Sequence, residues 1–142
     1  MAETLTKSEL MRGVLPYLTM PDADAAIEFY QKAFGARVLD EIARGESGKI
    51  MNVSLVINDG VIMLMDDMGM SAFAPTEGRG MVLQLVVSDG GMWWNRAIAA
   101  GCAEVDEYKL QFWGDHWGRL RDPFGLDWAI LEPSAEHRAA AE

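Results

Sequence analysis

GARVLDEI (Gly35–Ile42) returns as GCAEVDEY (Gly101–Tyr108), and that echo decides how the whole chain is read. Each copy follows a helical pattern, and each helical pattern follows an apolar strand. The offset is 66 or 67 residues throughout. A repeat of this length resets the expected fold, because one supersecondary unit has been written twice.

In the first unit VLPYLTM (14–20) reads as a strand. Pro21-Asp22 breaks it, and Asp22 or Asp24 caps a helix. Ala26, Ile27, Phe29, Tyr30, Ala33 and Phe34 recur at helical spacing, and Gly35 is the expected C-cap. ARVLDEIA reads as one strand, and GESG as a turn. KIMNVSLVI alternates, with Val53, Leu55 and Ile57 on one face and Asn52, Ser54 and Val56 on the other. NDG at 58–60 is a hairpin turn, and VIMLMDD closes the unit.

The second unit repeats the order. MVLQLVVS is a strand, Ser88 or Asp89 caps, and GGMWWNRAIAAG is a helix ending at Gly101. CAEVDEYKL, HWGRLR and LDWAILE are strands, and DPFG is the turn that matches NDG. GMSAFAPTEGRG between the units is rich in Gly and Pro and reads as the linker. The class is therefore α+β: tandem βαβββ modules, forming a curved mixed sheet around a cavity with the helices outside. The expected single domain is 13–132, with modules at about 13–67 and 80–132, an N-terminal extension at 1–12 and a C-terminal tail at 133–142 that is a frayed helix or a disordered end.

Composition narrows the function classes. The 142 residues are half hydrophobic, enough for a real core. The first ten residues carry acids and no apolar run of signal-peptide type, and no apolar stretch is long enough to span a bilayer. A cytoplasmic location with no membrane partner is the expectation. The net charge of −10 disfavours nucleic acid and permits a cationic small ligand. The single Cys102 can form no internal disulfide, and reads as a small buried hydrophobe after a helix.

Several stretches carry a family resemblance. PYLTMPDADAAIEFYQKAFGA, GKIMNVSLVINDGVIMLMDD and FWGDHWGRLRDPFGLDWAI resemble the vicinal oxygen chelate superfamily (glyoxalase I, bleomycin- and fosfomycin-resistance proteins, extradiol dioxygenases), and in particular its PhnB-like branch. The resemblance covers about residues 13 to 132 and specifies a fold rather than a reaction. It implies the glyoxalase/bleomycin-resistance fold, and also a homodimer, the assembly by which such proteins bury sheet edges and complete their cavities. In metal-using members, ligands come from the first and fourth strands of each unit. The matching positions here, counted along each strand, are Leu15, Leu64, Val82 and Ala129. All four are aliphatic and offer a divalent cation no lone pair. No metal site and no cofactor are expected.

Glu132, three residues beyond Ala129, falls on the opposite strand face and reads as a solvated strand end. Asn52 stands where PhnB-like sequences often carry His, and either lines the groove or bonds a neighbouring loop. Ser54 shares its face. Tyr17 and Gln84 lie in the first strands of the two units. Asp66 shares the parity of Leu64 and either reaches the groove at its rim or is a solvated strand end. Trp113, with Trp117, offers an aromatic wall for a flat ligand, and Trp93 and Trp94 read as core. His116 is a ligand contact or a loop histidine, and His137 lies on the surface of the tail.

The expected binding residues are thus Tyr17, Asn52, Ser54, Asp66, Gln84, Trp113 and His116, in an adaptable lining rich in Met. Two functions remain open. One is metal-independent binding of an apolar or cationic compound, as in bleomycin-resistance proteins. The other is a metal-dependent isomerase, lyase or dioxygenase using non-standard ligands such as Asp66, His116 and Glu132.

Overall fold

The computed structural model describes residues 4–69 and 80–141. Most of the expected linker, at 70–79, lies outside the described residues. The described chain falls into two compact units, one on each side of that stretch, with Lys32–Phe34 grouped with the second.

The first unit opens with a one-turn helix, α1 (Lys7–Leu10), that the sequence reading leaves in the N-terminal extension. Thr6 and Glu9 form a capping box, each side chain accepting the other's backbone N–H. Strand β1 covers Tyr17–Met20, shorter than the expected 14–20 because Pro16 has no N–H to give a ladder. Helix α2 (Ala23–Phe34) is capped by Asp22, whose carboxylate accepts from the Ala25 N–H, and it ends at Gly35 in the left-handed conformation with φ 67°.

The single strand expected over ARVLDEIA is instead two short pieces, β2 (Arg37–Val38) and β3 (Ala43–Arg44). Leu39 still donates its N–H to the Ser54 carbonyl while its side chain packs toward α1; beyond it the chain leaves the ladder and Asp40 pairs with Lys7. The long strands are β4 (Ile50–Ile57) and β5 (Gly60–Asp66). They meet at a two-residue turn in which Asn58 and Asp59 both have positive φ, as a type I′ hairpin needs.

The second unit runs β6 (Val82–Val86), α3 (Gly90–Ala100), β7 (Ala103–Leu110), β8 (His116–Arg121) and β9 (Asp127–Glu132). Asp89 caps α3. The two sheets share a strand order. The first reads β1-β5-β4-β2, with β3 also on β4, and the second reads β6-β9-β8-β7. In each, the opening strand lies parallel to the closing strand, and the rest is antiparallel. This is βαβββ written twice, a mixed α+β fold with few helices. No helix among the described residues is long and apolar enough to cross a membrane.

Of the residues expected at helical spacing or on the apolar strand face, Tyr30, Phe34, Val53 and Leu55 are almost fully enclosed; of the tryptophans read as core, Trp94 is largely buried but Trp93 is only half-buried. Leu64, Trp128 and Ile130 are almost fully enclosed as well. Cys102 is buried as well, and burial first, then the nearby Asp122 charge, pushes its thiol up to about 12. The DPFG turn is closed by Asp122, which accepts from the N–H groups of Phe124 and Leu126 and from the Trp128 indole.

The described part of the tail carries a helix. Helix α4 (Ala135–Ala141) is anchored by the buried Asp115, which accepts from the Ser134 N–H at 2.8 Å and bonds His137 Nδ1 at 2.6 Å. Those bonds, the Ser134 N–H first, hold the Asp115 carboxyl below its usual range. His137 is thus half-exposed but tied down.

Tyr108 links β7 to α3. Its ring stacks on Trp94 at 5.6 Å and on His116 at 5.8 Å. Gly118 is required beneath it, since a Cβ there would come within 2.6 Å of the Tyr108 Cα. Burial, then the charge of Glu132, pushes the Tyr108 phenol up to about 12. A raised phenol makes a definite prediction. Its contribution to stability is complete below the unfolded value of about 10 and is lost as the pH climbs toward 12. Urea melts between pH 9 and 12 should therefore show a steeper alkaline loss for the natural protein than for Tyr108→Phe; parallel curves would refute the burial of this hydroxyl.

Candidate binding site

Strand register sorts the expected site residues onto faces. Residues directly opposite each other across neighbouring strands point the same way. Tyr17 pairs with Met63, and Met63 with Ser54, so those three share a face with Asn52 and Val56. Leu64 pairs with Leu18 and Val53 on the other face, and Asp66 follows it there.

The first face holds a cavity of about 220 Å³, lined by Lys7, Met11, Asp40, Glu41, Ala43, Asn52, Ser54 and Met63. Asn52 and Ser54 form its floor, and both are half-buried. Among the described residues neither side chain has a hydrogen-bond partner, so both can serve an occupant. Met11 and Met63 give adaptable apolar walls. Tyr17 stands at the side, half-exposed, with its hydroxyl donating to the Met51 carbonyl at 2.9 Å.

α1 forms the roof. Leu10 is buried beside Val56 and Val61, with Leu15, Leu39 and Met63 packed around them. Burying one Leu is worth about 2 kcal/mol. The ion pair of Lys7 with Asp40 joins two exposed side chains, where water screens it and leaves it the weaker anchor. Leu10 therefore holds the roof, and Lys7 sets its charge. Sequence reasoning missed these residues, although the capping box in TKSE ahead of Leu10 was the signal.

Asp66 takes no part in the cavity, contrary to the expected place at a groove rim. It is buried on the opposite face, accepting at 2.7 Å from the Ala23 N–H, the first of α2, and at 2.7 Å from the Ile50 N–H. Glu132 does the matching work in the second unit. It accepts from the Gly90 N–H, the first of α3, at 2.7 Å, with the Tyr108 hydroxyl at 3.5 Å. It is not a solvated strand end: it faces away from Ala129, as its parity requires, and meets a helix N-terminus there.

The same register corrects one repeat mate. Ala129 pairs with Gln84 as Met63 pairs with Tyr17, so Met63, not Leu64, corresponds to Ala129. Gly60 is already paired in its strand, whereas Gly125 lies in the loop ahead of Asp127, so counting from the turn glycine slips by one. The chemistry is unchanged in kind, because a lone thioether is a poor ligand for a hard cation.

In the second unit Val82, Gln84 and Val86 line one face of β6 and are exposed. Val86, Leu131 and Trp117 form a row across three strands. Gln84 accepts from the Trp117 indole at 3.0 Å, and Trp113 lies edge-on to Trp117 at 6.2 Å. Gln84 and Trp113 thus belong to one surface. Arg119 and Arg121 clamp the buried Asp127 on that surface, and Arg119 also binds Asp106, a network not foreseen from the sequence. His116 lies on the other face, half-buried against Tyr108 and opposite Glu132 in the ladder. Among the described residues no three His, Cys, Asp or Glu side chains form a group able to hold a metal ion.

The chain belongs to the Glyoxalase/Bleomycin resistance protein/Dioxygenase superfamily, whose family model matches residues 14–130. It is 37% identical over 127 residues to an uncharacterised protein of Mycobacterium bovis, covering 85% of this chain and 83% of that one. Its fold is similar to a PhnB protein from Bacillus cereus, with a TM-score of 0.66 at 16% identity, covering 86% of this chain and all of that one. It is similar too to a bleomycin-binding protein solved in complex with bleomycin, with a TM-score of 0.60 at 18% identity, over 87% of this chain and all of the other.

Asp66→Ala separates the two faces. Removing a buried carboxylate that serves two backbone N–H groups should cost roughly 2–4 kcal/mol in a urea melt. Amide NMR shifts of Asn52, Ser54 and Met63 in the folded fraction should hardly move. Large shifts there with stability intact would show that Asp66 belongs to the cavity instead.

Proposed function

We propose that this chain is a metal-independent small-molecule-binding protein, taking an apolar or cationic compound in the cavity over β4. The half-buried Asn52 amide and Ser54 hydroxyl carry the reading. Groups with open hydrogen-bonding capacity, set between Met11 and Met63, suit a ligand with an apolar body and a polar handle. At about 220 Å³ the cavity is smaller than the roughly 300–1,000 Å³ of sites for drug-sized ligands. It suits a compact compound or one arm of a larger one. Tyr17 borders it. Gln84 and Trp113, on the open face of the second unit, are proposed as ligand contacts of that unit's own surface, and the bleomycin complex of a fold neighbour supports small-molecule binding in general.

The exposed Val82, Val86, Phe112 and Trp113 also favour a homodimer in the cytoplasm, which would cover apolar surface. Light scattering is expected to give a dimer; a monomer at all concentrations would remove that part of the proposal.

The second reading, a metal-dependent isomerase, lyase or dioxygenase, needs Asp66, His116 or Glu132 as ligands. The two carboxylates are engaged at helix N-termini, and His116 stacks on Tyr108. That weighs toward binding without metal. Glyoxalase I chemistry tests the choice, since it needs a Lewis acid and a base to form an enediolate. With the hemithioacetal of methylglyoxal and glutathione, added zinc, nickel or manganese should give no turnover. Turnover that appears with metal and disappears with EDTA would favour the second reading and make Glu132, Asp66 and His116 the residues to mutate.

A further inference from the structure

The roof of the cavity carries its own cation. Lys7 reaches down from α1 and pairs with Asp40, and both line the cavity. Beside Asp40 stands Glu41, whose carboxylate has no ion-pair or hydrogen-bond partner among the described residues. Asn52 and Ser54 complete the polar side, and Met11 and Met63 the apolar side. A compact organic cation with a short apolar body satisfies all of these at once. The ammonium meets the carboxylates, the chain meets the methionines, and a second polar atom can meet the amide or hydroxyl.

Resting on the reading of this cavity as a ligand site, we infer that it selects primary alkylammonium compounds, with Lys7 occupying the ligand's place when the site is empty. The Lys7 ammonium is the same functional group as the proposed ligand, already seated on Asp40. Lys7 and the ligand then compete for one carboxylate. Entry of the ligand releases Lys7 to water, where its side chain is already 62% exposed. It loosens α1, which then keeps Leu10, the flanking Leu5 and Met11, and its capping box as anchors. Binding and opening of the roof are thereby coupled.

The experiment uses the full chain, n-butylamine (charged at neutral pH) and 1-butanol as its neutral isostere, followed by amide NMR titration. Shifts are expected at Asn52, Ser54 and Met63, with the amine bound several-fold more tightly than the alcohol. Lys7→Met keeps most of the apolar stem and removes the competitor, so it should tighten the amine by about threefold relative to the alcohol. Lys109→Met, which removes a positive charge from β7 in the other unit, controls for net charge and should change neither. Glu41→Gln should bring the amine down toward the alcohol. Hydrogen exchange at Leu10 and Met11, whose amides bond to the Thr6 and Lys7 carbonyls, should quicken when the amine binds. Equal affinity for amine and alcohol, or equal effects of Lys7→Met and Lys109→Met, would overturn the ammonium inference while the cavity reading stands. Slowed exchange in α1 would overturn the competition with Lys7. No shift from either compound at Asn52, Ser54 and Met63 would remove the cavity reading itself.

Discussion

Each unit depends on one carboxylate at the end of its last strand. Asp66 closes β5 and Glu132 closes β9, and each accepts the first N–H of its unit's helix. A helix N-terminus presents unpaired donors and a partial positive charge, and a carboxylate beside it contributes roughly 1–2 kcal/mol when partly buried. Position matters more than the energy. The opening strand lies parallel to the closing strand, so the chain leaves β1 or β6 at the same end at which β5 or β9 finishes. A carboxylate at that end pins the strand-to-helix corner. It fixes where the helix starts, and with it which strand face is left for other uses.

Five carboxylates are committed to holding the fold together. Asp66, Glu132, Asp122, Asp115 and Asp127 are each held by N–H groups, an indole, a histidine or a guanidinium. A carboxylate committed in this way is a corner post of the fold. The groups left open are of another kind: an amide, a hydroxyl and one unpaired carboxylate, Glu41, around an apolar-walled cavity. Such a set offers an occupant hydrogen bonds and a negative charge beside apolar walls.

The same contrast separates the two copies of the repeat. They share strand order, capping aspartates and the closing carboxylate, so the scaffold has been preserved in both. Their other faces differ. The first carries Asn52, Ser54 and Met63 beneath α1, and the second carries an arginine–aspartate network with Gln84 bonded to Trp117. In the first unit polar groups stay unsatisfied beneath a roof, while in the second they satisfy one another.

The repeat, the helices with their glycine ends, the hairpin turns and most of the core were legible in the sequence, because period, capping and turn chemistry are local. The parity that separates Glu132 from Ala129 was legible for the same reason. Three things needed the tertiary structure. Asp22 over Asp24, and Asp89 over Ser88, was settled by where each helix begins. The true mate of Ala129 was settled by strand register, since a turn glycine inside one strand and outside the other shifts a count by one residue and so turns a side chain to the opposite face. The cavity itself was settled by contacts far apart in the chain. Lys7 meets Asp40 across 33 positions, and α1 meets β4 and β5 through Leu10, Val56 and Val61. No local pattern encodes such pairs, because they form only after the strands between them have been placed.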